Sequence, residues 1–134
     1  MRRLLAAALV MTTATSARAD SEPITHKAIG DGYELVVGEQ GAFVMRGKQR
    51  ARLADGLSIE RVTFDKKGKK VGVVLADVSC AGTSSYSWTL GHLDARLENT
   101  AAYALHRKQD YRGSAAGFAK AVIADPTWKV PAYN

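Results

Sequence analysis

The stretch that decides the fold is the C-terminal one, where residues 95–134 read ARLENTAAYALHRKQDYRGSAAGFAKAVIADPTWKVPAYN. Its first half carries an apolar stripe at spacings of three and four, formed by Leu97, Ala101, Ala104 and Leu105. Its second half carries another such stripe, formed by Tyr111, Ala115, Phe118 and Val122. Stripes of this kind are typical of helices that bury one face. Since Asp110 can cap the second helix and Pro126 must end it, the stretch predicts a helical hairpin.

Six positions of this hairpin resemble the tetratricopeptide repeat (TPR), a helix-turn-helix unit of about 34 residues. The matching residues are Ala102, Tyr111, Ser114, Phe118, Ala121 and Pro126. The chain departs from the family pattern at Glu98, Ala101 and Gln109, where the family has an aromatic residue, a large aliphatic residue and a glycine. The resemblance implies that the six residues pack the helices together and that the hairpin binds a protein or peptide. Without the resemblance, the same pattern fits an ordinary hairpin that covers a sheet.

The tail after Pro126 is similar to the opening of a next repeat, with Trp128 and Tyr133 as its aromatic residues. Repeat hairpins bury their apolar faces by stacking on neighbouring repeats. We therefore expect either that the natural chain continues into further repeats or that residues 127–134 fold back as a cap.

The segment 20–79 predicts a β-rich unit. Four short apolar runs lie between glycines and have the length and β-branched content of strands, at residues 33–37, 42–45, 57–64 and 71–76. The expected fold class is therefore α+β, with one small N-terminal antiparallel sheet of four to six strands followed by the TPR-like helical hairpin.

The sequence between these runs predicts turns and one irregular strand. The Asp-Gly dipeptides at 31–32 and 55–56 predict turns, and residues 65–68 predict the loop of a β-hairpin. The apolar alternation slips between Ile59 and Val62, which predicts a bulge or a strand break there.

A linker is expected at residues 80–94, because the segment from Cys80 to Trp88 is rich in serine. Cys80 is the single cysteine, which excludes a disulfide within the chain and a cysteine-rich zinc site. A small buried thiol is one interpretation of Cys80. A nucleophile paired with His92, twelve residues further on, is the other.

The first 19 residues predict a signal peptide. Arg2 and Arg3 form a positive start, residues 4–11 form an apolar run, and residues 17–19 read Ala-Arg-Ala, the small-x-small pattern of a cleavage site before Asp20. The alternative is a short N-terminal helix packed on the domain. The signal peptide predicts a periplasmic or secreted bacterial protein, and since no apolar run reaches the ~18 residues of a spanning helix, no stable membrane insertion is expected after cleavage.

The excess of basic over acidic residues does not indicate that the chain binds nucleic acid. Lys and Arg number 19 against 13 Asp and Glu, a net charge of +6. Three of the basic residues lie in 1–19 with no acid among them, residues 20–94 hold ten of each sign, and residues 95–134 hold six basic and three acidic side chains. The densest cluster, Lys66–Lys70, fits a solvated hairpin tip or a contact with an anionic surface.

Catalytic motifs are not found in the sequence. His26, His92 and His106 have no metal-ligand spacing, and no phosphate-binding glycine motif occurs. We therefore expect no catalytic residue, cofactor or metal. The predicted function is a non-catalytic, exported protein-interaction module. The alternative is a small exported enzyme or ligand-binding domain that uses Cys80 and a histidine.

Overall fold

The computed structural model describes residues 22–78 and 82–133. The signal-peptide segment 1–19 and Cys80 lie outside the described residues. The elements in chain order are β1 (His26–Gly30), β2 (Tyr33–Gly38), β3 (Gly41–Arg46), β4 (Gln49–Ala54), β5 (Ser58–Asp65), β6 (Lys70–Ala76), β7 (Thr83–Thr89), α1 (Leu90–Arg107), α2 (Tyr111–Ala124) and a 3₁₀ helix (Val130–Tyr133).

The strands form two antiparallel sheets, so the expectation of one sheet is wrong although the α+β class is confirmed. Strands β1 to β4 form a four-stranded meander, and β5 to β7 form a three-stranded one. At the edge of β4, the carbonyl oxygens of Arg52 and Leu53 accept hydrogen bonds from the Arg96 guanidinium of α1. A single bridge between Ile24 and Ile59 joins the two sheets on the other side.

Two predicted irregularities lie where the sequence places them. Asp31 and Gly32 have φ angles of 52° and 85° and turn β1 into β2, as a tight hairpin turn with two left-handed residues requires. The register of β5 against β6 shifts between Ile59 and Arg61, which confirms the bulge.

The segment expected to be a linker is regular structure instead. Residues 83–89 form β7, and α1 begins at Leu90 rather than near Ala95. The reason is that the serines and threonines alternate with Tyr86 and Trp88, which pack against the core from the inner face of the sheet. Thr89 then caps α1 by accepting a hydrogen bond from the backbone N–H of His92 at 3.0 Å.

The two sheets and α1 share one hydrophobic core. Its fully buried large side chains are Leu35, Val44, Val71, Val73, Leu75 and Leu93. Leu93 belongs to α1, which also contributes Leu90 and Leu97. Helix α2 packs on α1 and forms a second layer outside this core.

A polar contact fixes α1 on the first sheet. The Tyr33 hydroxyl donates to the Asp94 carboxylate on α1, and the Arg46 guanidinium lies over the Tyr33 ring, 4.7 Å from its centroid. Burial and the neighbouring Asp94 raise the pKa of Tyr33 well above its usual value, so its hydroxyl stays a donor.

Candidate functional site

The two helices of the hairpin approach each other closely because small residues lie between them. A methyl group built on Gly117 of α2 would lie 2.9 Å from the Cβ of Ala102 on α1, so the two helices approach closely only because residue 117 has no side chain. Beside this contact, Phe118 is 7% exposed and meets the Tyr103 ring edge-on, with 5.2 Å between centroids. The contact between α1 and α2 therefore depends on particular residues and not only on two apolar faces.

Four of the six residues that resemble the repeat motif lie in this interface. They are the buried side chains of Ala102, Ser114, Phe118 and Ala121. Tyr111 is 58% exposed and meets the His106 ring edge-on across the hairpin turn, and Pro126 lies exposed after the end of α2. The expected stripe of Tyr111, Ala115, Phe118 and Val122 is rotated, since Ala115 faces solvent and Ser114 and Ala121 are buried in its place.

The turn between the helices has the hydrogen bonds of a Schellman motif. The N–H of Gln109 donates to the carbonyl of His106 and the N–H of Asp110 donates to that of Leu105, at 2.9 and 3.0 Å. Gln109 adopts a φ of 66°, where the repeat family has glycine. Asp110 then caps α2 as predicted, accepting from the N–H of Gly113.

The solvent side of α2 is the first candidate site. We call it the outer face of α2 and define it by Arg112, Ala116, Ala119, Lys120 and Ile123. Ile123 is 78% exposed, the largest exposure among the large hydrophobic side chains described. The two alanines between the charged residues leave a shallow, narrow surface that another helix can approach closely.

The charge of α2 has one sign. Residues 111–124 contain Arg112 and Lys120 and no acidic residue, and Arg107 and Lys108 lie exposed at the adjoining turn. The two nearby carboxylates already take part in hydrogen bonds within the chain, since Asp110 caps α2 and Asp125 is hydrogen-bonded to His92. The outer face therefore combines an apolar stripe with a positive rim.

A second candidate is an open recess of about 390 Å³ where β7, α1 and the end of α2 meet, which we call the His92 recess. It is lined by Ser87, Trp88, Thr89, His92, Asp125 and Thr127. The Nδ1 atom of His92 lies 2.8 Å from the Asp125 carboxylate, and both side chains are largely buried. The other ring nitrogen, Nε2, takes no part in this contact.

Asp125 is held ionised by its other contacts. The Thr127 hydroxyl donates to it at 2.6 Å and the Thr127 backbone N–H at 3.1 Å. The hydrogen bonds from Thr127, and then that from His92, outweigh desolvation and lower the pKa of Asp125 below its usual value.

The tail after α2 folds back on α1. Trp128 meets the His92 ring edge-on, 5.2 Å between centroids, and the Arg96 guanidinium lies 5.1 Å from the Trp128 ring. His92 and Arg96 are one turn apart on α1, so one aromatic side chain covers both. Trp128 therefore packs on α1, and whether residues 127–134 cap the hairpin or begin a further repeat stays a prediction.

Sequence spacing alone does not reveal the His92–Asp125 pair. The two residues are 33 positions apart, and the sequence pattern marks Asp125 only as part of the signal that ends α2. The pairing of Cys80 with His92 falls outside the described residues. In the part of the chain that the structure describes, no group of three or more His, Cys, Asp and Glu side chains is placed to hold a metal ion.

Comparison of the chain with protein-family models, with curated proteins and with solved structures finds no match. Within residues 22–78 and 82–133, no helix has the length and apolar character needed to cross a membrane.

Proposed function

We propose that this chain is an exported, non-catalytic protein-interaction module whose docking surface is the outer face of α2. The partner element is an amphipathic helix with acidic residues beside its apolar stripe. The observation that carries the proposal is the exposed Ile123 in line with Ala116 and Ala119 on a helix that has only basic charges. The resemblance of the hairpin to TPR units, which stack helix on helix, points the same way.

The spacing of the stripe suits a helical partner. Ala116, Ala119 and Ile123 follow one another at intervals of three and four, so they form one straight line along α2. Small side chains at two of these positions allow a partner helix to approach closely, as Gly117 allows α1 to do on the opposite side. Ile123 then supplies the apolar anchor that enters a gap between side chains of the partner.

The charges specify which helix binds. Arg112 and Lys120 lie at the rim, where opposite charges on the partner raise the association rate and like charges are rejected. An acidic, amphipathic helix satisfies both conditions.

The elements beneath this surface are held together by polar contacts. Arg96, Asp94 and His92 tie α1 to the first sheet, to Tyr33 and to the end of α2, respectively. Helix α2 is held on this α1 by Phe118 and Ala121, and a surface already held in place loses little conformational entropy on binding.

The test uses two designed helical peptides with leucine at positions i, i+3, i+4 and i+7, flanked by glutamate in one and by lysine in the other. Binding to the full chain is measured by fluorescence anisotropy of a labelled peptide. We expect the glutamate peptide to bind, and Ile123→Asp to weaken it at least tenfold. The matched control is Leu57→Asp, because Leu57 is 57% exposed but lies in the loop that connects β4 to β5, away from α2 in the chain. The double variant R112E/K120E should reverse the preference between the peptides.

Two results contradict the proposal. One is equal affinity for the glutamate and lysine peptides, or no binding of either. The other is an equal effect of Ile123→Asp and Leu57→Asp, since binding would then not involve α2.

The His92 recess supports a second candidate, a small exported enzyme or ligand-binding domain. Its observation is the His92–Asp125 hydrogen bond, which orients the imidazole as a base in a recess that also contains hydroxyl groups. Alkylation of Cys80 and the substitution His92→Asn should both abolish hydrolysis of activated esters if the two residues act together. This candidate is excluded if ester hydrolysis survives either treatment. It is also excluded if the untreated chain hydrolyses the ester no faster than free imidazole does.

A further inference from the structure

Strand β7 lies at an edge of the three-stranded sheet. The backbone hydrogen bonds at its two ends show which of its residues direct their N–H and C=O groups toward β6. The N–H of Asp77 donates to the carbonyl of Gly82, and the N–H of Leu90 donates to that of Lys69. Along the register between these pairs, alternate residues exchange hydrogen bonds with β6. The residues whose backbone groups face β6 are Ser84, Tyr86 and Trp88. Those whose backbone groups face away from the sheet are Thr83, Ser85, Ser87 and Thr89.

This edge lacks the protection that the other sheet edges have in the described part of the chain. The β4 edge is capped by Arg96, and the β1 and β5 edges meet at the Ile24–Ile59 bridge. Residues 83–89 contain no charged residue and no proline, and their pairing with β6 shows no register shift. Charges, prolines and bulges are the devices that normally keep an edge from pairing with another strand.

We propose that β7 pairs antiparallel with β7 of a second copy of this chain, about a twofold axis at Tyr86. The outward-facing residues read Thr, Ser, Ser, Thr, which is the same in both directions. Antiparallel self-pairing therefore places Thr83 opposite Thr89 of the second copy and Ser85 opposite Ser87 of the second copy. Facing hydroxyl pairs of this kind stabilise antiparallel ladders, and an uncharged strand meets its own copy without repulsion.

The same pairing covers apolar surface. Tyr86 and Trp88 stack on the inner face with 5.0 Å between ring centroids and 12° between planes, and both stay partly exposed at the end of the sheet. A strand added beyond β7 extends the inner face next to these rings. The His92 recess, open beside Ser87 and Thr89, leaves room for the start of the added strand. The resulting sheet has six strands in one continuous ladder.

This inference goes beyond the proposed function and does not depend on it, because the outer face of α2 takes no part in the pairing. The two therefore fail separately, one in the peptide assay and the other in the association state.

The experiment is sedimentation equilibrium of the full chain over a wide concentration range. We expect a species of twice the 14.4 kDa of one chain. The variant S85K/S87K places like charges opposite each other and should weaken self-association at least tenfold. The variant S85K/S87E places lysine opposite glutamate of the second copy and should restore it. Thr63→Lys is the matched control, because Thr63 lies exposed on β5 at the far side of the same sheet.

Amide hydrogen exchange gives an independent reading of the same interface. The N–H groups of Ser85 and Ser87 should become protected as protein concentration rises, while those of Tyr86 and Trp88 are protected at every concentration. A chain that stays monomeric at millimolar concentration overturns the proposal. So does a dimer that S85K/S87K and Thr63→Lys affect equally, since its interface would lie elsewhere.

Discussion

Truncation of Phe118 tests whether α2 is a separately held layer. Phe118 is 7% exposed and lies between the two helices against Tyr103. Phe-to-Ala substitutions in cores cost about 3–5 kcal/mol, and an edge-on aromatic pair contributes about 1 kcal/mol of that stability. We expect about 3 kcal/mol here, at the low end, because Tyr103 is 39% exposed and can move into the space.

The loss should be local. Helix α2 packs on α1 and not into the core that the two sheets share with α1, so Phe118→Ala favours detachment of α2 alone. About 3 kcal/mol corresponds to a roughly 100-fold rise in the detached population. Native-state hydrogen exchange measures it directly, as faster exchange of the α2 amides with little change in β6.

The matched control is Ile123→Ala, on the same helix but 78% exposed, which should change α2 exchange by less than threefold. Equal acceleration of α2 and β6 by Phe118→Ala would refute the reasoning, because α2 would then belong to the same cooperative unit as the sheets. An acceleration below tenfold would refute the assigned packing of Phe118.

Three further predictions concern the turn, the carboxylate and the leader. Gln109→Gly should stabilise the chain by about 1 kcal/mol in urea unfolding, because Gln109 holds a φ of 66°, and a destabilised variant would contradict this. Asp125→Asn should lower the free energy of unfolding by about 1–2 kcal/mol near pH 6. Since folding lowers the pKa of Asp125 from 3.8, this difference is complete above that pH and disappears as pH falls through the lower folded pKa; a difference independent of pH would contradict it. Expression in a bacterium with a working export pathway should yield a mature chain whose first residue is Asp20 by mass spectrometry, and a retained Met1 in the exported protein would count against the signal peptide.

The part of the fold that sequence predicts is the part with strong apolar periodicity. Strands β2 and β6 carry a clear alternation of apolar residues, and β3 and β5 are short apolar runs between glycines. Helix α2 has both a capping residue, Asp110, and a proline just after its end. Strand β4 reads Gln-Arg-Ala-Arg-Leu-Ala, and its alternation is weak because one of its inward-facing residues, Ala51, has only a small apolar side chain. Strand β7 has the composition of a linker because serine and threonine are common in loops, although Tyr86 and Trp88 alternate with them.

The sequence predicts where the helical hairpin lies but not which residues its helices bury or which side chains meet in the His92 recess. The packing of α1 on α2 depends on Gly117 and Ala102, and small residues carry little weight in an apolar stripe, so the buried face of α2 comes out rotated. The His92–Asp125 pair joins residues that only the folded chain brings together. Its formation requires the close approach of α1 and α2, where a methyl group on Gly91 would lie 2.5 Å from the carbonyl oxygen of Ala124.

The position of α1 in the shared core also sets an order of folding. Leu93 and Leu97 fill the space between two sheets whose strands all precede them in the chain. The strands therefore have no complete core until residue 97 is free to join them. Helix α2 packs on α1 and lies outside this core, so it needs α1 in place before it can dock. Any part of the chain that ends before α1 therefore leaves the inner faces of both sheets uncovered.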